Sequence, residues 1–229
     1  MAFVKRDQLA IFFPISHLWS PSLRNFGESY VVALDISKAF DRVWHKALLA
    51  KLPSYGFTPP LCNLISSFLS DRFISVVVDG TTSATFGVSS GVPQGSVLSP
   101  ILFLLFINDL LDCPSALIHA FADDSTLHSS TTFPSQPSTN SRIQSRTTLS
   151  DSLNSDLVSI SQWGSDNLVK FNASKTQFMP ISLSSTPPDI VLTFENNEIK
   201  PLPSINILGI QVASNLSWRE HITNIAKSA

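Results

Sequence analysis

The chain has 229 residues, a formal net charge of −2 and only 14% charged side chains; 37 serines and 15 prolines stand where charge is usually found. Against a usual charged share of ~25%, that balance excludes a highly charged disordered chain, a coiled coil and a global basic field. Contact with nucleic acid therefore has to come from local patches or from parts outside this chain. The length suits one domain or a domain and a half at roughly 100–200 residues each, with a core burying about 70% of the unfolded surface.

At the N-terminus, Lys5 and Arg6 precede the apolar stretch Leu9-Ala10-Ile11-Phe12-Phe13, but Asp7 interrupts it and Pro14 cuts it short. No small-residue cleavage site follows, so no secretory signal is expected. The apolar, β-branched run Tyr30-Val31-Val32-Ala33-Leu34 ends at Asp35, the pattern of a buried strand. Ala39, Phe40, Val43, Trp44, Ala47, Leu48 and Leu52 recur at helical spacing, with Pro53 as the stop. A second helix is expected over 60–69. Residues 73–78 read as a strand, Asp79-Gly80 as a hairpin turn and 82–88 as its partner. A buried helix is expected over 99–111, with Ser99 as N-cap and Pro100 at its first position. Strands over 116–121 and 125–130 would form a hairpin with Ala122-Asp123-Asp124 at its tip.

From Ser129 to Ser150, 12 of 22 residues are Ser or Thr, and this stretch reads as a surface loop. Beyond it, Leu149, Leu153, Leu157, Ile160 and Trp163 form a helical stripe closed by Gly164. Residues 175–181, 190–194 and 205–212 read as strands, and 218–227 begin a helix. The sum is a mixed sheet with helices on one face, an α+β layer. Trp44, Trp163 and Trp218 read as core anchors. Cys62 and Cys113 lie 51 residues apart and read as buried free thiols; His17, His45, His119, His128 and His221 show no metal-ligand spacing. The longest apolar run, 101–107, falls far short of the ~20 residues of a membrane helix. An intracellular, non-secreted protein with no membrane partner is the expectation.

The chemistry is concentrated in carboxylates. Asp35 ends an apolar strand, and Asp123 and Asp124 sit between apolar strands, where unpaired charge is costly to bury. Hard divalent cations relieve that cost, because Mg²⁺ prefers carboxylate oxygens and keeps water and phosphate oxygens as its other ligands. Two such ions roughly 3.5–4 Å apart can hold the attacking and leaving oxygens of a phosphoryl transfer. Taken alone, Asp123-Asp124 is more economically an ordinary polar turn. Its neighbours change that balance.

From about Leu18 to its end, the chain resembles the reverse transcriptases of non-long-terminal-repeat, LINE-type retrotransposons. Asp35-Ile36-Ser37-Lys38-Ala39-Phe40-Asp41 resembles the family's first catalytic motif, and Gly91-Val92-Pro93-Gln94-Gly95-Ser96-Val97-Leu98-Ser99-Pro100 its nucleotide-pocket motif. Phe121-Ala122-Asp123-Asp124 resembles its second catalytic motif, with Phe121 where Tyr is usual. Asn172-Ala173-Ser174-Lys175-Thr176 and Leu208-Gly209-Ile210 resemble later motifs in the same order. The resemblance implies a polymerase-type palm over 18–213, an antiparallel sheet with helices packed on one face, between a divergent segment 1–17 and the start of a truncated thumb at 214–229.

It also implies an RNA-directed DNA polymerase that transfers a nucleotide to a primer 3′-hydroxyl with two Mg²⁺ ions, or Mn²⁺ in their place. Asp35 and Asp123 would ligate metal, with Asp124 in support, and Lys175 would donate a proton to pyrophosphate. The backbone N–H groups of Ile36, Ser37, Lys38, Ala39 and Phe40, read as a strand-to-helix junction, would hold triphosphate oxygens. Phe40 would pack under the sugar and exclude a 2′-hydroxyl, Gln94 and Gly95 would border the nucleotide, and Leu208 and Gly209 would grip the primer. The implied partners are an RNA template, a DNA primer and dNTPs. Only 34 residues precede Asp35, so the fingers read as truncated like the thumb. The isolated chain is expected to be weak or inactive unless the missing subdomains act in trans. Two rivals stand beside this reading: a catalytically silent nucleic-acid-binding remnant using Lys170 and Lys175, and the non-functional product of a decayed element.

Overall fold

In the computed structural model, which describes residues 27–133, 138–182, 188 and 190–228, the apolar run after Ser29 forms the middle of strand β1 (Glu28–Asp35). The expected divergent segment 1–17 lies outside the described residues. Tyr30, Val31 and Val32 are fully buried, so both faces of β1 are covered. After Asp35 the expected single helix is broken. A 3₁₀ turn (Ala39–Arg42) is followed by extended Val43 and Trp44, then α1 (His45–Lys51) and a second 3₁₀ turn (Leu52–Tyr55). The break has a long-range cause. Val92 N–H donates to Phe40 O and Gly91 N–H to Val43 O, both at 2.8 Å, so these carbonyls serve another segment. The α-helix ends at Lys51, at the expected stop, and Pro53 stands second in the following 3₁₀ turn, where no N–H is needed.

Helix α2 (Pro59–Leu69) follows. The expected hairpin is present but interrupted: β2 (Arg72–Ile74) pairs with β5 (Phe86–Val88), and β3 (Val77–Val78) with β4 (Thr81–Thr82). Between the two ladders, Val76 N–H donates to Ser83 Oγ at 3.0 Å. Helix α3 (Leu98–Ile107) begins before Ser99, which therefore does not cap it; the Ser99 hydroxyl donates to Pro93 O at 2.5 Å. A 3₁₀ turn (Asn108–Asp112) leads to β6 (Leu117–Phe121) and β7 (Asp124–Thr131).

Most of the described part of the Ser/Thr-rich stretch is not a loop. Its start belongs to β7 and residues 139–150 to α4 (Thr139–Asp166), while 134–137 lie outside the described residues. Hydroxyls that would compete with a helix bond back into it: Thr147 and Thr148 donate to the carbonyls of Ile143 and Gln144 at 3.1 and 3.0 Å. Ser138 caps the start, its side chain accepting from Ser141 N–H. Leu149, Leu153, Leu157, Ile160 and Trp163 are buried as expected. Gly164 does not close the helix; it lies inside it because an added Cβ would meet the Phe171 ring and Val169 O at 3.0 Å.

Next come β8 (Gln177–Ser182), β9 (Leu192–Phe194) and β10 (Asn197–Ile199). The span expected as one strand over 205–212 is a hairpin, β11 (Ser204–Ile207) and β12 (Ile210–Ala213), before α5 (Arg219–Ser228). Trp218 is 42% exposed and is not a core anchor, and Cys62 and Cys113 are half-buried free thiols. No helix among the described residues is long and apolar enough to cross a membrane.

The central sheet has the order β6-β7-β1-β8, and its pairings are antiparallel. Tyr30, Val32 and Leu34 belong to one apolar cluster with α3 and α4 residues such as Phe103, Phe106, Leu153 and Trp163. Val31, Met179 and Ile181 of the opposite face are covered by Ile205 and Val212 of the β11–β12 hairpin. Helices thus pack on one face and a small hairpin on the other. At the base of β1, buried Glu28 accepts from Arg146 Nε at 2.9 Å and Nη2 at 2.5 Å, and from Ser182 Oγ at 2.8 Å.

Candidate active site

Asp35 and Asp124 meet at one end of the sheet, with Asp123 in the adjoining turn. In the β1–β7 ladder Asp35 lies directly opposite Asp124, so both side chains leave the same face. Phe121 pairs with Asp124 across the β6–β7 turn, which leaves Ala122 and Asp123 as the turn residues. Ala122 takes φ 52°, a left-handed conformation that a small side chain tolerates better than a branched one. Asp124 therefore starts a strand instead of ending the turn. Burial, then the Asp123 charge, then the Asp35 charge push its carboxyl above the ordinary carboxylate range. Among the described residues no three His, Cys, Asp or Glu side chains already converge as a metal cage.

Lys175 comes to the same place. Its ammonium is 4.0 Å from Asp35 Oδ2. The backbone explains why: Ile36 forms an antiparallel bridge with Phe171, Asn172 N–H donates to Asp35 O at 2.8 Å, and Lys175 N–H donates to Asn172 O at 3.0 Å. A cleft of about 740 Å³ opens here, bordered by Asp35, Asp124, Lys175, Gln177, Lys200 and Asn206.

The segment from Ile36 to Phe40 departs from its expected form. No α-helix starts there, since Lys38 is left-handed at φ 51° and only a 3₁₀ turn follows. Ser37 N–H already donates to Lys170 O at 2.9 Å. Ala39 is buried, and the half-buried Phe40 ring stacks on Phe103 at 5.0 Å and 12°.

Against this turn lies the segment 90–95. Besides the Gly91 and Val92 bonds, His45 Nε2 donates to Gly91 O at 2.7 Å and Ser90 Oγ to Asp41 O at 3.2 Å. Gln94 Nε2 donates to Asp41 Oδ1 at 3.4 Å. Gln94 and Gly95 are exposed, and Gly95 (φ 89°) has open space where a Cβ would stand. Leu208 (φ 52°) and Gly209 (φ 79°) form the β11–β12 turn, on the hairpin that contributes Asn206 to the cleft.

Sequence reading missed two residues that hold these parts. His45, noted above only for its lack of metal-ligand spacing, ties α1 to Gly91, 46 positions away. Buried Asp156 on α4 accepts from Ser115 N–H (2.7 Å), Ser115 Oγ (2.9 Å) and Ala116 N–H (3.0 Å), anchoring the start of β6. A polar residue inside the otherwise apolar spacing of α4 is the only trace Asp156 leaves in the sequence.

A family model described as reverse transcriptase (RNA-dependent DNA polymerase) matches residues 9–212. The RNA-directed DNA polymerase from mobile element jockey of Drosophila melanogaster is 31% identical over 204 residues, covering 85% of this chain and 21% of that protein. The probable RNA-directed DNA polymerase from transposon X-element of the same species is 29% identical over 201 residues, covering 84% of this chain and 20% of that protein. The chain thus spans about a fifth of the length of these curated relatives. Among solved structures, apo telomerase from Candida tropicalis superposes with a TM-score of 0.52 at 14% identity, over 83% of this chain and 35% of that one. At that identity the likeness concerns the fold alone.

Proposed function

The chain belongs to the reverse transcriptase (RNA-dependent DNA polymerase) family, and on that premise we propose that it carries the nucleotidyl-transfer centre of an RNA-directed DNA polymerase of non-long-terminal-repeat retrotransposon origin. The observation that carries the reading is the β1–β7 register, which sets Asp35 opposite Asp124 with Asp123 in the adjoining turn.

The donor set fits Mg²⁺, or Mn²⁺ in its place. It consists of carboxylate oxygens, and the burial and neighbouring negative charges that raise Asp124 are what a hard divalent cation offsets. Bound there, two such ions would lower the pKa of the primer 3′-hydroxyl and neutralise charge on the triphosphate and the leaving pyrophosphate. Asp35 and Asp123 would hold the ions, with Asp124 in support on the primer side. Lys175 carries on Nζ a proton for the leaving pyrophosphate. Phe40, braced by Phe103, presents its ring to the sugar and disfavours a 2′-hydroxyl. Gln94 and Gly95 form the open border of the nucleotide pocket, where Gly95 lets the backbone approach closely. The Leu208-Gly209 turn steadies the primer end. The substrates on this reading are an RNA template, a DNA primer and dNTPs.

The test is primer extension on poly(rA)/oligo(dT) by the purified chain, with and without Mg²⁺, beside Asp123→Asn. Extension by the isolated chain is expected to be weak at most, and whatever extension it shows should require metal and disappear in the variant, because the catalysis rests on positioning and charge stabilisation. Extension retained by a folded Asp123→Asn protein overturns the assignment of the carboxylates.

A further inference from the structure

Lys175 is held beside the carboxylates in a way that proton donation alone does not require. Its turn is tied to β1 by Asn172 N–H to Asp35 O at 2.8 Å. The turn is closed on itself by Thr176 N–H and Oγ1, which donate to Asn172 O at 3.0 and 3.1 Å. Ser174 Oγ donates to Asn172 Oδ1 at 2.7 Å. The backbone of this turn cannot drift from Asp35, whereas the lysine side chain, 68% exposed, can swing freely. The result is a monovalent cation on a fixed base and a flexible stem, resting 4.0 Å from Asp35 Oδ2. Asp124 leaves the same face of the sheet beside it.

We infer that Lys175 is a resident counter-cation of Asp35 that a divalent ion displaces. Lys175 thereby sets the metal affinity of the carboxylates, and its ammonium is released toward the substrate only when metal arrives. The inference rests on the reading of Asp35, Asp123 and Asp124 as metal ligands. A divalent ion and an ammonium cannot share one carboxylate edge without repulsion, and an exposed ion pair is weak enough to be broken by that repulsion. The lysine thus lowers metal affinity while it keeps the bare carboxylates from repelling one another.

The experiment is a Mn²⁺ titration of the 229-residue chain, with free ion followed by electron paramagnetic resonance, on the parent, Lys175→Met, Lys175→Arg and Asp123→Asn proteins. Lys175→Met is expected to bind roughly three- to tenfold more tightly, the scale of one exposed pair doubled by a divalent partner. Lys175→Arg keeps the charge and stays within about twofold of the parent, while Asp123→Asn binds at least about tenfold more weakly. If Asp123→Asn weakens binding but Lys175→Met leaves it unchanged or weaker, the counter-cation role is overturned and the metal site stands. If Asp123→Asn binds like the parent, the metal-site reading falls and takes the inference with it. Thermal unfolding of each variant verifies the fold, and Lys175→Gln replaces Lys175→Met if the methionine lowers the melting temperature.

Discussion

Two glycines four residues apart in one motif, Gly91 and Gly95, both have positive φ, 84° and 89°, yet they should fail in different ways when given a methyl group. At Gly91 an added Cβ would stand 2.9 Å from Asp41 Cα and O and 3.0 Å from Phe40 O. Those are backbone atoms, so no side chain can turn aside. Left-handed strain costs about 1–2 kcal/mol for an L-residue, and forcing a methyl into a filled site adds about 1–3 kcal/mol. The bonds through Gly91 N, Gly91 O and Val92 N, at 2.8, 2.7 and 2.8 Å, would lengthen together. Gly91→Ala should therefore lose about 3–5 kcal/mol, a large part of the ~5–15 kcal/mol that holds a domain together. At Gly95 nothing lies within 4 Å of the added methyl. Gly95→Ala should lose only the conformational part, about 1–2 kcal/mol, and instead raise the KM for dNTP by crowding the open border of the pocket. Urea unfolding followed by circular dichroism measures the first effect, and primer extension at varied dNTP measures the second. A Gly91→Ala protein within about 1 kcal/mol of its parent, or a Gly95→Ala protein that is the less stable of the two, would refute the packing of segment 90–95 on the 40–43 turn.

Two further predictions use the carboxylates. Asp156→Ala strips the acceptor from Ser115 N–H, Ser115 Oγ and Ala116 N–H and should lose about 3–5 kcal/mol in the same urea assay; a loss below about 1 kcal/mol would mean that β6 is not anchored there. Asp124 has its carboxyl raised by burial, Asp123 and Asp35, so its stabilising contribution is complete below the ordinary carboxylate value near 3.8 and is lost as pH rises through the raised value. Without divalent metal, Asp124→Asn should therefore melt above the parent at pH 7, with the gap closing toward pH 4; a gap of equal size at both pH values would count against the repulsion.

What the sequence displays well is what short-range patterns encode. The β-branched run of β1 and the apolar strands around Ala122-Asp123-Asp124 carry period and composition enough to place the hairpin and its acids. The failures share a different origin, a partner distant in the chain. Val43 and Trp44 leave the helix because the carbonyls of Val43 and Phe40 accept from Gly91 and Val92. Ser99 gives up capping because Pro93 O is nearer. Gly164 looks like a terminator and is instead a contact point for Phe171. The serines and threonines of 139–150 look like a loop because composition is silent on hydroxyls that bond back to their own helix. At the site, the acids and Lys175 belong to motifs, whereas His45 acts through one bond spanning 46 residues and Asp156 through three spanning 40 or 41, which no local pattern announces.

β1 carries a carboxylate at each end, and their surroundings divide their roles. Glu28 is 1% exposed and gripped by the guanidinium of Arg146, itself 16% exposed; Asp35 is 38% exposed and faces a lysine that is 68% exposed. Buried and bonded on both oxygens, the first pair is a permanent part of the fold, because removing either partner strands a charge in the interior. The second pair is held at 4.0 Å in solvent, where such contacts are worth little and break readily. The ladder between them fixes the geometry: Glu28 pairs with Thr131 at one end and Asp35 with Asp124 at the other. A slip by one residue would turn fully buried Tyr30 and Val32 to the opposite face. The buried strand and its arginine therefore hold the register, and the register holds two acids side by side at the open end. One carboxylate is locked in place, and on the counter-cation proposal the other would be the one to exchange a lysine for a metal.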